Sequence, residues 1–376
     1  MSKFDEVVPA HIRALGGYAA GKPLKQAERE SGVRCIKLAS NENPFGPSPL
    51  AIEAMRQAAT EVNLYPDNDA SDLKAELASR NNMDPAQLMI TGGSTQFLDI
   101  IGRTLLTPGL NAITSERSFI VYPIAARTSG GELIQVPMHG DTFDLDGILS
   151  AMNDKTRVVF IANPNNPTGT MLDPVAVDRF IAAVPESVTV VLDEAYYDFA
   201  SYFAAQRGLE YTHSLDYVRQ GKNVIVLRTF SKAHGLAAVR CGYGFGPERL
   251  IQHLAKVRTA FSVSSVAEAA ALAALRDESH IRKSLENNAA GAEWLTKRLS
   301  NMGLRVVPTF ANFLYVETEE DSVTLAKRIQ DEGVIVRPLS VWGAPKAIRV
   351  SVGTPEQNEK FIAALSKVLE PATTAS

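Results

Sequence analysis

Cysteine is nearly missing from this chain: Cys35 and Cys241 are the two it has, neither in a CxxC string nor beside histidines at metal spacing. That excludes a disulfide framework and makes a reducing cytoplasm the expected location. No apolar run approaches the roughly 18 residues of a membrane span, and the opening MSKFDEVVPAHIRALGG has no apolar signal core. Blocks of like charge are missing too. With a formal net charge of −4 and scattered lysines and arginines, the chain has no basic field to draw in nucleic acid. There is no repeat period, and the absence of GxGxxG removes a nicotinamide Rossmann enzyme. Small-residue bias is confined to PATTAS at the C-terminus. What is present is a globular composition, 45% hydrophobic and 21% charged over 376 residues, long enough for about two domains.

From residue 88 to 245 short β-branched runs alternate with helical patterns, notably VVFIAN (158–163), VTVVLDE (188–194) and NVIVLRTF (223–230). The alternation predicts an α/β fold with a mostly parallel sheet, and the unbroken apolar runs predict strands covered on both faces. Ligands of such sheets bind beyond the carboxyl ends of the strands, where Asn163, Asp193, and Ser231 with Lys232 fall. The C-terminal part reads differently. LRVVPT, NFLYVE, VIVRPL and AIRVSVG are expected strands, VTLAKRIQDEG a helix ending at Gly333, and Thr354, Pro355 and Gln357 the capping box of a last helix burying Phe361, Ile362 and Leu365. This predicts a smaller α+β domain packed with the N-terminal arm. The expected division is an arm at 1–45, a large domain at 46–262 and a small domain at 263–376.

Four stretches can carry chemistry. In TGGSTQFLDIIGRTLL, Gly92 and Gly93 feed a helix whose unpaired N–H groups, with the Ser94 and Thr95 hydroxyls, suit an anion; the same string also reads as a plain turn and N-cap. NPNNPTG (163–169) is a strand-exit loop in which Asn166 can donate to a phenolate oxygen. Asp193 ends an apolar strand, where a carboxylate needs a cation; a protonated ring nitrogen fits better than a metal, with helix capping as the alternative. In RTFSKAHGLAAVR (228–240), Thr229, Ser231 and Arg240 can surround one phosphate if the segment is helical. Lys232 beside them is biased toward its neutral, nucleophilic amine, while His234 reads as a structural or solvent-exposed side chain. Arg337 and Arg349 are charges inside apolar strands, each a candidate clamp for carboxylate or phosphate unless an internal acid pairs with it.

In this order LASNENPFGPSP, LYPD, GGST, NPNNPTG, DEAYYDF, RTFSKAHGLAAVR, ANFLYV and IRVSVG resemble the class I/II, fold-type I aminotransferases, and among them the histidinol-phosphate aminotransferases. The resemblance runs from about Tyr18 to Gly353. It implies pyridoxal 5'-phosphate as cofactor, with Lys232 as the Schiff-base lysine, Asp193 at the pyridine nitrogen, and Asn166 and Tyr196 at the ring hydroxyl. It further implies Ser94, Thr95, Thr229, Ser231 and Arg240 at the phosphate and Phe119 stacked on the ring. Tyr65 would reach the phosphate of a neighbouring subunit, so a homodimer with shared active sites is implied. Tyr18, Asn43, Asn166, Asn312, Arg337 and Arg349 match substrate-side positions, Arg349 being the expected α-carboxylate clamp and the anchor for a substrate phosphate. The substrates implied are an amino donor and a 2-oxo acid.

Departures from the pattern keep the donor open. Thr95 and Gln96 follow Ser94 where relatives commonly have an acidic pair, Phe119 stands where tyrosine is usual, and SVWGAP puts Trp342 near the substrate pocket. Histidinol phosphate with 2-oxoglutarate is the first expectation and an aromatic amino acid the second. A decarboxylase or lyase of the same fold and a non-catalytic ligand-binding module are the competing classes.

Overall fold

The computed structural model describes residues 3–17 and 21–370. Its largest unit is a seven-stranded sheet with the spatial order Leu88–Thr91, Gly242–Phe245, Val224–Thr229, Thr189–Asp193, Thr156–Ala162, Asn111–Ser115 and Glu132–Val136. Gly242–Phe245 runs antiparallel to both neighbours and the remaining ladders are parallel. The three apolar runs singled out in the sequence are three adjacent strands of this sheet. Every residue of Thr189–Asp193 and Val224–Thr229 is buried, as helices on both faces require. The helix Ser94–Leu105 illustrates the cover: Phe97, Leu98, Ile100 and Ile101, at helical spacing, point into the core.

A four-stranded antiparallel sheet, Arg337–Pro338, Ala347–Ser351, Phe313–Glu317 and Val306–Val307, forms the second unit. The helices Glu278–Asn301, Ser322–Asp331 and Pro355–Leu369 bury Leu295, Leu325, Ile329, Phe361 and Leu365 in its core. The capping box of the last helix is formed, with Thr354 accepting from the Gln357 N–H and Gln357 from the Thr354 N–H. VIVRPL is not one strand. Val334–Ile335 pairs in parallel with Ile36–Lys37 and Arg337–Pro338 joins the four-stranded sheet, so the chain changes partner at Val336. That exchange stitches the N-terminal arm to the small unit, with Leu38 in its core.

The expected boundary at 262/263 differs from the packing. The helix Ser265–Arg276 buries Ala267, Ala270, Ala271 and Ala274 in the large core, where its small side chains allow close approach. We therefore place the crossing at Asp277, the N-cap of the long helix Glu278–Asn301. Among the described residues no helix is long and apolar enough to cross a membrane.

Candidate active site

Parallel strands deliver their carboxyl ends to one edge of the sheet, and a cavity of about 500 Å³ opens there between the two units. Asp193 is the last residue of its strand; Asn166 follows Thr156–Ala162, Ser94 follows Leu88–Thr91, and Lys232 follows Val224–Thr229. All four line the cavity, as do Thr95, Phe119, Tyr196, Thr229, Ser231, Arg240, Arg337 and Arg349.

Lys232 is half-buried, and its Nζ donates to the Ser40 carbonyl at 3.3 Å and lies 5.6 Å from the Tyr196 ring centre. Burial, reinforced by the charges of Arg349 and Arg240, brings its ammonium down to about 8. About a tenth is thus free amine at pH 7, far more than for an ordinary lysine, and this is the form that attacks a carbonyl. Asp193 is 4% exposed. Burial raises its carboxyl to about 6, opposed by the Tyr122 hydroxyl, which donates to Oδ2 at 3.0 Å, and the Ala195 N–H, which donates to Oδ1 at 3.2 Å. A buried carboxylate balanced this way favours a cationic N–H donor in the cavity. Its neighbour Glu194, equally buried, has a different fate: it is ion-paired with Arg228 at 2.8 Å and accepts from Thr212. Of the two adjacent acids, only Asp193 lines the cavity.

The anion cup is built from three segments. Gly93, at φ 89° and ψ 156°, turns the chain into the helix Ser94–Leu105 in a conformation that side chains avoid. A Cβ there would lie 2.3 Å from Arg240 Nη2 and would displace that guanidinium, and one on Gly242 would lie 2.5 Å from the Ser94 nitrogen, so backbone conformation requires the first glycine and close approach to backbone the second. Gln96 Oε1 accepts from the Gly92 N–H at 2.6 Å, bracing the loop. The segment 231–239 is a series of turns and not the helix that would have carried Arg240 two turns beyond Lys232. Arg240 instead adopts a left-handed φ of 59°, and its Nη1 reaches Ser231 Oγ at 3.4 Å and the Ala237 carbonyl at 2.8 Å. Thr229 Oγ1 donates to Ser231 Oγ at 3.0 Å. Helix N-terminus, hydroxyls and guanidinium share one corner of the cavity.

The opposite wall belongs to the small unit. Arg337 and Arg349 sit directly across from each other in neighbouring antiparallel strands. Arg349 donates to Asn166 Oδ1 at 2.5 Å and to the Ala39 carbonyl at 2.8 Å. The Trp342 ring lies 5.1 Å from the Arg337 guanidinium and 6.0 Å from that of Arg349.

Several expected residues are placed elsewhere. Asn163 accepts from the Leu172 N–H and does not line the cavity, being spent on shaping its loop. Asn43 donates to the Ala233 carbonyl and to Ser284, and Asn312 donates to the Asn41 carbonyl; neither lines the cavity. Tyr65 is 83% exposed, stacked on Phe261 at 4.8 Å. Tyr18 lies outside the described residues. His234 is buried, not solvent-exposed, with its imidazole pushed down by burial. Two residues went unread in the sequence. Asn41, which lines the cavity and donates to Tyr196 Oη at 2.9 Å, stands two places before the asparagine chosen from the same string; it holds a left-handed φ of 57°, which asparagine tolerates, and nothing in the string set it apart from Asn43. Tyr122 sits in an apolar helical run that gave no sign of its contact with Asp193.

Comparison with known proteins gives the family and the fold. The family model described as aminotransferase class I and II matches residues 33–365. The histidinol-phosphate aminotransferase of Moorella thermoacetica is 43% identical over 95% of this chain and 92% of that protein. Histidinol-phosphate aminotransferase 2 of Pseudomonas aeruginosa is 43% identical over 98% and 99%. Among solved structures, the histidinol-phosphate aminotransferase of Sinorhizobium meliloti in complex with pyridoxal-5'-phosphate superposes with a TM-score of 0.87 at 30% identity, covering 96% of this chain and 97% of that one. Aspartate aminotransferase of Thermus thermophilus with maleate shares the fold, with a TM-score of 0.83 at 22% identity over 96% and 99%.

Proposed function

This chain belongs to the class I and II aminotransferases, and on that premise we propose that it transfers the amino group of L-histidinol phosphate to 2-oxoglutarate. The reading includes pyridoxal 5'-phosphate as cofactor, a ping-pong sequence, and a cytoplasmic homodimer with shared active sites. The observation that carries the substrate is the pairing of Arg337 with Arg349 in opposed positions on one cavity wall. Like charges directly across a ladder repel, so the arrangement favours a ligand with more than one negative charge at that end. A phosphate monoester, close to doubly charged, meets that demand in one half-reaction, and the two carboxylates of 2-oxoglutarate, one to each arginine, meet it in the other. The full-length relatives called histidinol-phosphate aminotransferases support the same choice.

The residues present fit the cofactor. The close approach of Gly93 to Arg240 and of Gly242 to Ser94 leaves a cup of donors with no room for side chains, suited to a phosphate. Across the cavity, Asp193 is a buried acid suited to a protonated ring nitrogen. When bound, the cofactor supplies an electron sink for the charge left when the substrate Cα loses its proton. We assign Ser94, Thr95, Thr229, Ser231 and Arg240 to its phosphate, Asn166 and Tyr196 to its ring hydroxyl, and Phe119 to its ring face. Lys232 would hold the cofactor, and its amine, a base of suitable strength, would take the proton from the substrate Cα. Tyr65, projecting from the surface against Phe261, is assigned to the partner's phosphate site.

A second reading, an aromatic amino acid as donor, is favoured by the Trp342 ring on the substrate-side wall. Profiling donors against 2-oxoglutarate separates the two. L-histidinol phosphate should exceed phenylalanine and tyrosine in kcat/KM by roughly 30- to 150-fold, as loss of a charged contact costs some 2–3 kcal/mol. Arg337→Ala should erase most of that preference. Equal or better use of phenylalanine would reject the phosphate reading, and amine consumption without a 2-oxo acid would reject transamination.

A further inference from the structure

Asp193 is held by a residue that no motif marks. Tyr122 belongs to the helix Val121–Thr128, is fully buried, and lines the cavity beside Asp193. Its ring stacks on Phe160 at 5.0 Å with 4° between planes and meets the Phe119 ring edge-on at 5.6 Å. A side chain clamped between two aromatics can aim its hydroxyl in few directions, and this one donates to Asp193 Oδ2 at 3.0 Å.

We propose that Tyr122 is a positioning residue for the cofactor: with the Ala195 N–H on the other oxygen, its hydroxyl keeps Asp193 ionised and oriented to hold the proton on the cofactor's ring nitrogen, while its ring sets the pitch of Phe119. The inference rests on the cofactor assignment above. Two donors on the two oxygens stabilise the charged carboxylate over the neutral acid, which is the condition for the shared proton to stay on nitrogen. Burial pushes the Tyr122 hydroxyl well above the usual tyrosine range, so it remains a donor throughout the working pH range. The other groups felt by Asp193 are Glu194, which opposes its ionisation, and Lys232, which favours it. Tyr196 and Tyr211 are also within electrostatic reach of the pair. Glu194 is already committed to Arg228, and Lys232 is taken up by the cofactor, so Tyr122 is the side chain left to hold Asp193 in the loaded enzyme.

Tyr122→Phe keeps the stack and deletes the donor. The neutral acid form of Asp193 then gains, the ring nitrogen loses proton, and electron withdrawal from the imine at Lys232 weakens. The pH titration of the visible imine band should therefore move upward by about half a unit or more. Cofactor retention on dilution should weaken on the order of tenfold. Phe180→Leu is the packing control: it opens space in the same core, in the helix Pro174–Ala183 and off the cavity wall, should lower the melting temperature, and should leave the titration in place. A wild-type titration in Tyr122→Phe, or an equal shift in Phe180→Leu, overturns the proposal. A wild-type protein with no imine band at all would instead remove the cofactor assignment, so the two failures are distinguishable.

Discussion

Replacing Gly93 by alanine tests the anion cup at its tightest point. Gly93 holds φ 89° and ψ 156°, a region that residues with a Cβ occupy at a cost of about 1–3 kcal/mol. The new methyl would also stand 2.3 Å from Arg240 Nη2 and 3.0 Å from its Cζ, so the guanidinium, the more flexible party, must leave. Backbone strain is present with or without cofactor and lowers apoenzyme stability, a fall of several degrees in melting temperature. Displacing Arg240 removes a charge-assisted contact to the phosphate, about 1.5–3 kcal/mol, and should weaken pyridoxal phosphate binding roughly 10- to 150-fold. Titration of the apoenzyme with the cofactor, followed by the visible band, and melting of the apoenzyme read the two effects separately. Arg240→Ala should reproduce the affinity loss with less of the melting loss. If Gly93→Ala binds the cofactor within about twofold of wild type and melts with it, the cup is not built as described.

Three further outcomes follow from the same geometry. The folded-state value of Asp193, about 6 against 3.8 for the free side chain, means that its contribution is intact below pH 3.8 and is lost as pH rises through 6. Apoenzyme carrying Asp193→Asn should therefore gain stability over wild-type apoenzyme as pH goes from about 4 to 7.5, by up to about 3 kcal/mol, read as a widening melting-temperature gap; a pH-independent gap contradicts this. Lys232, lowered to about 8 by burial, should make the rate at which apoenzyme captures pyridoxal phosphate rise with pH and level off above about 8, which stopped-flow absorbance resolves from a rise continuing toward 10.5. Glu194→Ala leaves the Arg228 guanidinium, 6% exposed, without its carboxylate, and should destabilise the protein by about 3–5 kcal/mol in denaturant unfolding.

The strands and the chemistry at their ends were legible because both depend on local pattern. Unbroken β-branched runs announce doubly covered strands, and Asp193 and Lys232 stand out as polar residues directly after them. Glycines 92 and 93 ahead of an amphipathic run announced the helix terminus of the cup. What the pattern did not show is set by tertiary contact. RTFSKAHGLAAVR has helical composition, yet the corner at Arg240 demands a left-handed residue, and the segment turns instead of winding. VIVRPL is one apolar run whose two halves find different partners, a choice made by the N-terminal arm some 300 residues away. Asn43 and Asn312 look as polar as Asn41 in sequence, and only their hydrogen bonds reveal that they brace loops. Tyr122 looks like core because it is core, apart from one oxygen.

The central claim is a two-step amino transfer through Lys232, and the most direct measurement follows each half-reaction alone. Enzyme loaded with pyridoxal phosphate is mixed with L-histidinol phosphate and no 2-oxo acid, and the visible imine band is recorded before 2-oxoglutarate is added. The account predicts that one equivalent of donor discharges the band, that 2-oxoglutarate restores it with one equivalent of glutamate formed, and that Lys232→Ala completes neither step at a comparable rate. Near-normal multiple turnover by Lys232→Ala, or a band untouched by L-histidinol phosphate in the wild-type enzyme, would contradict it.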